Sequence, residues 1–311
     1  MKRALTCLLC GLGIVAVAFT VMYFFFPDLI VKTAITLARF SAGLSRNEII
    51  VDDHRWVYLD GGTGEVILFI HGYNDSKEGW GDFPLSFKRD HRVIIPDMPG
   101  HGENSRVPVD NYGIPDQVKR LDSFTEKIGI RSFHLCGVSM GGAIAAYYAS
   151  EHPDKVKSLM IMGPFGVTSD LPSVAWRAFE RDSSKLLCWK TEEDFQRIIG
   201  WVMDHPPYLP RIFVNYAVES GRKNYDFNKK IFYDLLKGGK DILERRLGTI
   251  KSPTLIVWGK NDRVFSVSAA DVFKRGITNS KVEIIDCGHM VFLDEPDRTR
   301  RIYRDFLASV H

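Results

Sequence analysis

Ser139 is the residue best placed to act as a nucleophile, because it stands in the pentapeptide Gly-Val-Ser-Met-Gly at residues 137–141. Residues 132–136 have the pattern of a short buried strand, and the small residues at 142–149 favour a helix. A strand that turns at once into a helix strains the residue between them and needs very small neighbours. The pattern predicts a serine hydroxyl above a sheet edge, with the backbone N–H of Met140 available to an oxyanion.

A serine hydroxyl needs a base to remove its proton and an acid to orient that base. His289 follows the last predicted strand, and Asp262 follows a strand at residues 254–258, so both are expected at the sheet edge that carries Ser139. Asp286 and Asp294 are nearer to His289 in sequence, but the orienting carboxylate has to approach the imidazole from another loop. We therefore predict Ser139 as nucleophile, His289 as base and Asp262 as the orienting acid.

A second oxyanion donor is predicted in the loop that begins at His71. Residues 66–70 read as a buried strand beside the nucleophile strand, and the loop leaves its end. We assign the donor to the backbone N–H of Tyr73. His71 itself is expected to make structural hydrogen bonds within the loop.

Strands and helices alternate along most of the chain, which predicts a mostly parallel central sheet flanked by helices. Further strands are predicted at residues 56–59, 93–97, 158–162 and 281–285. Residues 165–250 are instead helical and aromatic, and we interpret them as a helical lid inserted after the sixth strand. Most of their aromatic side chains are expected to pack the lid's own core. The run Trp201, Val202 and Met203 is predicted to line an acyl-binding arm.

Residues 4–26 form an uncharged apolar run long enough to cross the hydrocarbon core of a bilayer. The alternatives are a buried helix and a signal peptide, but a signal peptide would have a shorter core and small residues at its cleavage site. We predict a transmembrane anchor at residues 1–27 and an amphipathic juxtamembrane connection at 28–50. The catalytic domain is then formed by residues 51–164 and 251–311, with the lid at 165–250.

Composition and charge exclude several other classes. The 311 residues include 41 basic and 38 acidic ones, for a net charge of +3, and no basic run stands out, so nucleic acid is not an expected partner. Five cysteines without metal-ligand spacing predict neither a disulfide scaffold nor a metal site, and no cofactor is expected.

The orientation of the predicted anchor does not follow from charge, because basic residues flank the apolar run on both sides. The odd cysteine set of the catalytic domain and a glycosylation sequon at Asn74, beside the predicted site, favour a cytosolic catalytic domain.

The chain resembles the α/β-hydrolase domain-containing protein 6 branch of the α/β-hydrolases. The resemblance rests on the elbow at 137–142, the loops at 71–73, 97–102, 258–262 and 287–289, and the C-terminal residues 305–311. The chain order Ser139, Asp262, His289 is also that of the α/β-hydrolases. The resemblance implies a membrane-anchored serine hydrolase of monoacylglycerols such as 2-arachidonoylglycerol, and of some lysophospholipids. It further implies a site on internal membranes such as those of the late endosome, lysosome or mitochondrion.

Two other functions fit parts of the sequence. A carbon–carbon bond hydrolase or another small-ester hydrolase would use the same triad, although the membrane anchor disfavours soluble substrates. Dehalogenases and epoxide hydrolases of this fold use a carboxylate nucleophile, which a serine at position 139 excludes. A membrane-tethered interaction protein is the alternative from another class, and a complete triad argues against binding as its sole role.

Overall fold

The computed structural model describes residues 22–23 and 25–310. The strands are β1 (Ser45–Val51), β2 (His54–Gly61), β3 (Glu65–Ile70), β4 (His91–Pro96), β5 (Phe133–Val138), β6 (Val156–Met162), β7 (Thr254–Gly259) and β8 (Ser280–Ile285). The helices are α1 (Pro27–Ser41), α2 (Ile114–Lys127), α3 (Met140–Glu151), α4 (Val174–Arg181), α5 (Glu192–Val202), α6 (Arg211–Lys237), α7 (Ala269–Gly276), α8 (Val291–Asp294) and α9 (Pro296–Ser309).

The eight strands form one sheet in the order β1-β2-β4-β3-β5-β6-β7-β8. The pairs β1–β2 and β2–β4 are antiparallel, and all other pairs are parallel. The prediction of a mostly parallel sheet is therefore confirmed. Strand β5 is buried along its whole length, which explains why its sequence, apart from His134, is apolar on both faces. Because parallel strands end at one edge, the loops after β3, β5, β7 and β8 meet there.

Helices cover both faces of this sheet. On one face, α2, α3 and α7 pack against alternate strand residues such as Leu68, Leu135 and Leu159, which lie side by side in register. On the other face, α8, α9 and two short 3₁₀ turns (Lys77–Trp80 and Phe83–Ser86) cover the intervening residues. The alternation of side chains along each strand thus feeds two separate cores.

The segment at residues 28–50, predicted as a juxtamembrane connection, contains more structure than that. Helix α1 occupies its first part, and edge strand β1 begins at Ser45 and pairs with β2. The turn between β1 and β2 places Asp52 and Asp53 at positive φ values of 47° and 64°, as in a tight hairpin. The boundary at residue 51 therefore cuts through a strand of the sheet, and we move the start of the catalytic domain to β1.

The N-terminal apolar run of residues 4–26 lies almost wholly outside the described residues. Within the described part of the chain, none of the helices combines the length and the apolar character that a membrane crossing requires.

Helices α4, α5 and α6 are inserted between β6 and β7, in the region predicted as a lid. Aromatic side chains pack between them: the rings of Trp189 and Phe195 lie 5.2 Å apart, and those of Phe179 and Phe232 lie 5.3 Å apart. We call residues 165–250 the inserted helical region.

Candidate active site

Ser139 lies between β5 and α3 with φ 57° and ψ −122°. A side chain in this left-handed region is strained, so the surrounding backbone has to hold it there. A Cβ on Gly141 would overlap the carbonyl oxygens of Ile70 and His71, and one on Gly137 would overlap the backbone of Gly141. Glycine at both positions therefore lets α3 start against the neighbouring strand, and this close packing creates the sharp turn at Ser139.

Asp262 and His289 lie together at the ends of β7 and β8. The Nδ1 of His289 is 2.7 Å from the Oδ2 of Asp262, and the side chains are 2% and 0% exposed. The Oδ1 of Asp262 accepts the backbone N–H groups of Val264 and Phe265 at 2.7 and 2.9 Å. These bonds fix the carboxylate, which in turn fixes the imidazole with its Nε2 directed away from Asp262.

Residues 162–165 connect this pair with Ser139. The N–H of Ser139 donates to the carbonyl of Met162 at 2.9 Å, and the N–H of Phe165 donates to the carbonyl of Ser139 at 3.4 Å. Between them, Gly163 packs directly against the ring of His289 and the carboxylate of Asp262. The Nε2 of His289 is buried and has no hydrogen-bond partner among the described residues. The structure thus gathers the three predicted residues around one short segment.

The loop after β3 approaches Ser139 from the other side. A Cβ added to Gly72 would lie only 3.3 Å from the Cβ of Ser139. His71 is fully buried; its Nε2 accepts the N–H of Met98 at 2.9 Å and its Nδ1 lies 2.7 Å from the carbonyl of Gly72. Burial lowers its pKa, so a neutral ring makes the structural bonds predicted for it. Neither the amide of Tyr73 nor that of Met140 donates to another described residue.

An apolar cleft opens from Ser139 into the inserted helical region. Its empty space, open solvent at the mouth included, is about 620 Å³. Aromatic and aliphatic side chains of α4, α6 and the neighbouring loops form most of its wall, among them Phe165, Trp176, Phe179, Phe232, Leu235 and Phe265. Tyr73 and Met140 lie at the end of the cleft that contains Ser139. The cleft therefore has an apolar arm and one polar, reactive end.

Trp201, Val202 and Met203 lie elsewhere. Trp201 packs under the guanidinium of Arg197 at 5.2 Å, Met203 is buried, and the carbonyl of Val202 accepts the N–H of Met290 at 2.8 Å. This turn of α5 supports the loop that carries His289. The three residues do not line the cleft at Ser139, whose apolar wall comes mostly from α4, α6 and the neighbouring loops.

Asp204 links the inserted helical region to both triad loops, and sequence reasoning did not identify it. Its carboxylate accepts hydrogen bonds from Asn261 at 2.8 Å and Arg263 at 2.9 Å, the two neighbours of Asp262. The carboxylate of Asp294 accepts the backbone N–H groups of Asp204 and Gly288 at 2.9 and 2.8 Å. A second link joins the loop after β3 to the inserted helical region: the hydroxyl of Tyr73 donates to the backbone carbonyl of Asn228 in α6 at 2.7 Å.

The arrangement offers a nucleophile, a base with an orienting acid, and two amide donors, which together suit acyl transfer. Among the residues that the structure describes, no group of three or more His, Cys, Asp or Glu side chains is arranged to hold a metal ion.

Comparison with known proteins agrees with this geometry. A model of the alpha/beta hydrolase fold matches residues 65–296. Monoacylglycerol lipase ABHD6 of Mus musculus is 30% identical over 313 residues, which cover 96% of this chain and 93% of that protein. Lipase 1 of Psychrobacter immobilis is 30% identical over 81% of this chain and 80% of its own. The crystal structure of a membrane phospholipase A, described as a bacterial virulence factor, has a TM-score of 0.89 and 34% identity, covering 100% of this chain and 99% of that one. The resemblance seen in the motifs is confirmed, and the chain belongs to the alpha/beta hydrolase fold family.

Proposed function

We propose that this protein is a membrane-anchored serine hydrolase that cleaves the ester bond of monoacylglycerols. The observation that carries the proposal is the buried His289–Asp262 pair, with an unpartnered Nε2, beside a serine that opens on an apolar cleft. An ester of a long-chain acid fits both parts of this site. The acyl chain matches the apolar arm and the carbonyl matches the reactive end.

In this proposal each polar group has one role in the reaction. The Oγ of Ser139 attacks the ester carbonyl while the Nε2 of His289 takes its proton, and Asp262 stabilises the resulting imidazolium. The amides of Tyr73 and Met140 bind the oxyanion. His289 then gives the proton to the departing glycerol oxygen, which leaves an acyl-enzyme on Ser139. Water, deprotonated by the same imidazole, attacks the acyl-enzyme; the imidazolium then returns the proton to the Oγ of Ser139 as the fatty acid leaves.

The substrate class is supported by the shape of the cleft and by the names of similar proteins. One arm accepts one chain, so monoacylglycerols and lysophospholipids fit better than triacylglycerols, whose two further chains have no place under the inserted helical region acting as a lid. The mouse relative is named a monoacylglycerol lipase, and the similar solved structure is named a membrane phospholipase A. Both names describe enzymes that act on acyl esters of glycerol lipids.

The membrane part of the proposal is supported by residues 4–26, whose uncharged apolar sequence suits a single-pass anchor. We place the catalytic domain on the cytosolic side for the reasons given from its cysteines and its sequon. The anchor supplies local concentration at the lipid, whereas the chemistry belongs to the catalytic domain.

The test uses full-length protein in detergent and a panel of substrates with one acyl chain. We expect turnover of monoacylglycerols, labelling of Ser139 by a fluorophosphonate, and loss of both in Ser139→Ala. Ser309→Ala replaces an exposed serine of the last helix and is the matched control, with unchanged activity expected. Labelling of Ser139 without turnover of any glycerol lipid would move the proposal to another class of ester or to carbon–carbon bond hydrolysis.

A further inference from the structure

The first turns of α1 and α6 lie side by side at one end of the molecule. Helix α1 packs against α6. Arg39, near the end of α1, forms an ion pair with Glu78, and Asn228, in the middle of α6, donates a hydrogen bond to Asn74 in the same loop. Burial raises the pKa of Tyr216, in the second turn of α6, and the carboxylate of Asp28, in the first turn of α1, raises it further. The two helices therefore run in the same direction, and their first turns lie at one end of the molecule. Because the chain reaches α1 from residues 4–26, this is the end at which the proposed anchor joins the domain.

The loop before α6 projects apolar side chains at this same end. All of residues 205–210 are exposed, and Tyr208 and Leu209 are 89% and 39% exposed. Three prolines at positions 206, 207 and 210 restrict the backbone of this loop. At its base, the carboxylate of Asp294 accepts two backbone N–H groups at 2.9 and 3.2 Å. The loop is therefore stiff and projects from the surface, so it would lose little conformational entropy on contact with a partner.

Helix α1 exposes an apolar stripe along its length. Leu29, Leu37 and Phe40 are 52%, 62% and 83% exposed. At about 100° per residue these positions fall on one face of the helix, while Val31 on the opposite side is buried against the domain. A helix with one exposed apolar face suits a position in the plane of a membrane interface.

We propose that Tyr208 and Leu209 insert into the interfacial region of a lipid bilayer, beside the apolar stripe of α1. The inference rests on the proposed anchor, since residues 4–26 would bring that bilayer to this end of the molecule. Tyrosine suits the depth of the lipid headgroups, where its ring is apolar and its hydroxyl remains hydrated. The anchor, the stripe of α1 and the loop with Tyr208 and Leu209 would then give three contacts. Three contacts fix the orientation of the domain on the bilayer, whereas the anchor alone would let it rotate.

Fluorescence quenching by brominated lipid tests the contact directly. Full-length Tyr208→Trp is reconstituted in phosphatidylcholine vesicles with or without bromine on the acyl chains, and the signal of the parent protein is subtracted. Val109→Trp is the control, because Val109 is 91% exposed and its neighbour Asp110 contacts Lys230, about 28 Å along α6 from Arg211. We expect quenching of the added tryptophan at 208 and none at 109.

Two results would overturn the proposal. Equal emission of Tyr208→Trp in both kinds of vesicle would show that the loop stays in water. A blue-shifted emission without quenching, together with a dimer on cross-linking, would mean that a second copy of the chain covers this surface.

An activity measurement separates this inference from the proposed function. In the double variant Tyr208→Ser, Leu209→Ser, we expect the apparent KM for monoacylglycerol in vesicles to rise roughly threefold to tenfold, because the orientation is lost. The kcat/KM for a soluble short-chain ester should stay unchanged. If the parent protein did not hydrolyse the soluble ester, this result would contradict the proposed function. An unchanged vesicle KM in the variant would contradict only the bilayer contact.

Discussion

Replacing Asp262 by asparagine changes one atom of the triad and leaves its shape intact. The new amide can face His289 in two ways. If its oxygen keeps the backbone N–H groups of Val264 and Phe265, its NH₂ points at the Nδ1 of His289 and forces the proton onto Nε2. That tautomer cannot accept the proton of Ser139, and the expected loss in kcat is about 10⁴-fold.

The opposite orientation would restore the tautomer but leave two buried backbone donors facing an NH₂ group. Each unsatisfied donor costs about 1–3 kcal/mol, or about 2–6 kcal/mol together. A loss of 10⁴-fold corresponds to about 5.5 kcal/mol, so a flip that costs about 6 kcal/mol gives no relief, whereas a flip that costs about 2 kcal/mol limits the loss to about 30-fold. We therefore expect the loss in kcat for Asp262→Asn to lie between about 30-fold and 10⁴-fold.

The assay is kcat and kcat/KM for a soluble ester between pH 6 and pH 9, with the rate of fluorophosphonate labelling as a second measure of nucleophile activation. Thermal unfolding checks that the fold is kept. Asp286→Asn is the matched control, because Asp286 is also near His289 in sequence but accepts a hydrogen bond from Asn261 instead. A loss of less than tenfold in Asp262→Asn, or a greater loss in Asp286→Asn, would refute the assignment of the acid.

Three further predictions address the surroundings of the triad. Asp204→Ala should lower kcat roughly tenfold to a hundredfold, since small displacements of catalytic groups are costly, with KM for a soluble ester nearly unchanged; equal kcat would deny it a positioning role. Trp176→Ala should alter the ratio of kcat/KM between long and medium acyl chains, at about 0.8 kcal/mol per methylene that loses its contact, whereas Trp201→Ala should leave that ratio alone; the reverse result would return the acyl arm to α5. Burial raises the pKa of Asp75 from 3.8 to about 7, so the folded state holds a proton that the unfolded chain releases, and the free energy of unfolding should fall between about pH 4 and pH 7. Asp75→Asn should remove this fall in denaturant titrations, and a parallel pH profile in parent and variant would contradict it.

The sequence was sufficient to locate residues whose position depends on local rules. Ser139, Asp262 and His289 each follow a strand of strong apolar character, and the ends of parallel strands meet at one edge. Their chain positions alone therefore predicted that they would lie together. Glycine on both sides of Ser139 predicted the turn for the same reason, because the constraint is a local one.

Features that depend on contacts between distant parts of the chain were harder to predict. Edge strand β1 was missed because its first four residues, 45–48, are all polar and its turn uses two aspartates, at 52 and 53, in place of glycine. Trp201 belongs to a region with many aromatic residues, and composition does not tell which helix face meets the cleft. The role of Asp204 depends on Asn261 and Arg263, more than fifty residues further along the chain.

The attachment of the inserted helical region to the triad loops limits how such enzymes can be recombined. Exchanging residues 165–250 for the corresponding segment of another hydrolase is an obvious route to a new acyl preference. The exchange would also remove the carboxylate of Asp204 that holds Asn261 and Arg263, and the new segment would set the position of the backbone carbonyl at residue 202 that holds the histidine loop. A working chimaera should therefore retain residues 202–204 from the recipient, with its new segments placed on either side. The same insertion would thus affect both acyl preference and catalytic geometry, with residues 202–204 affecting the geometry and other parts of the insertion affecting the preference.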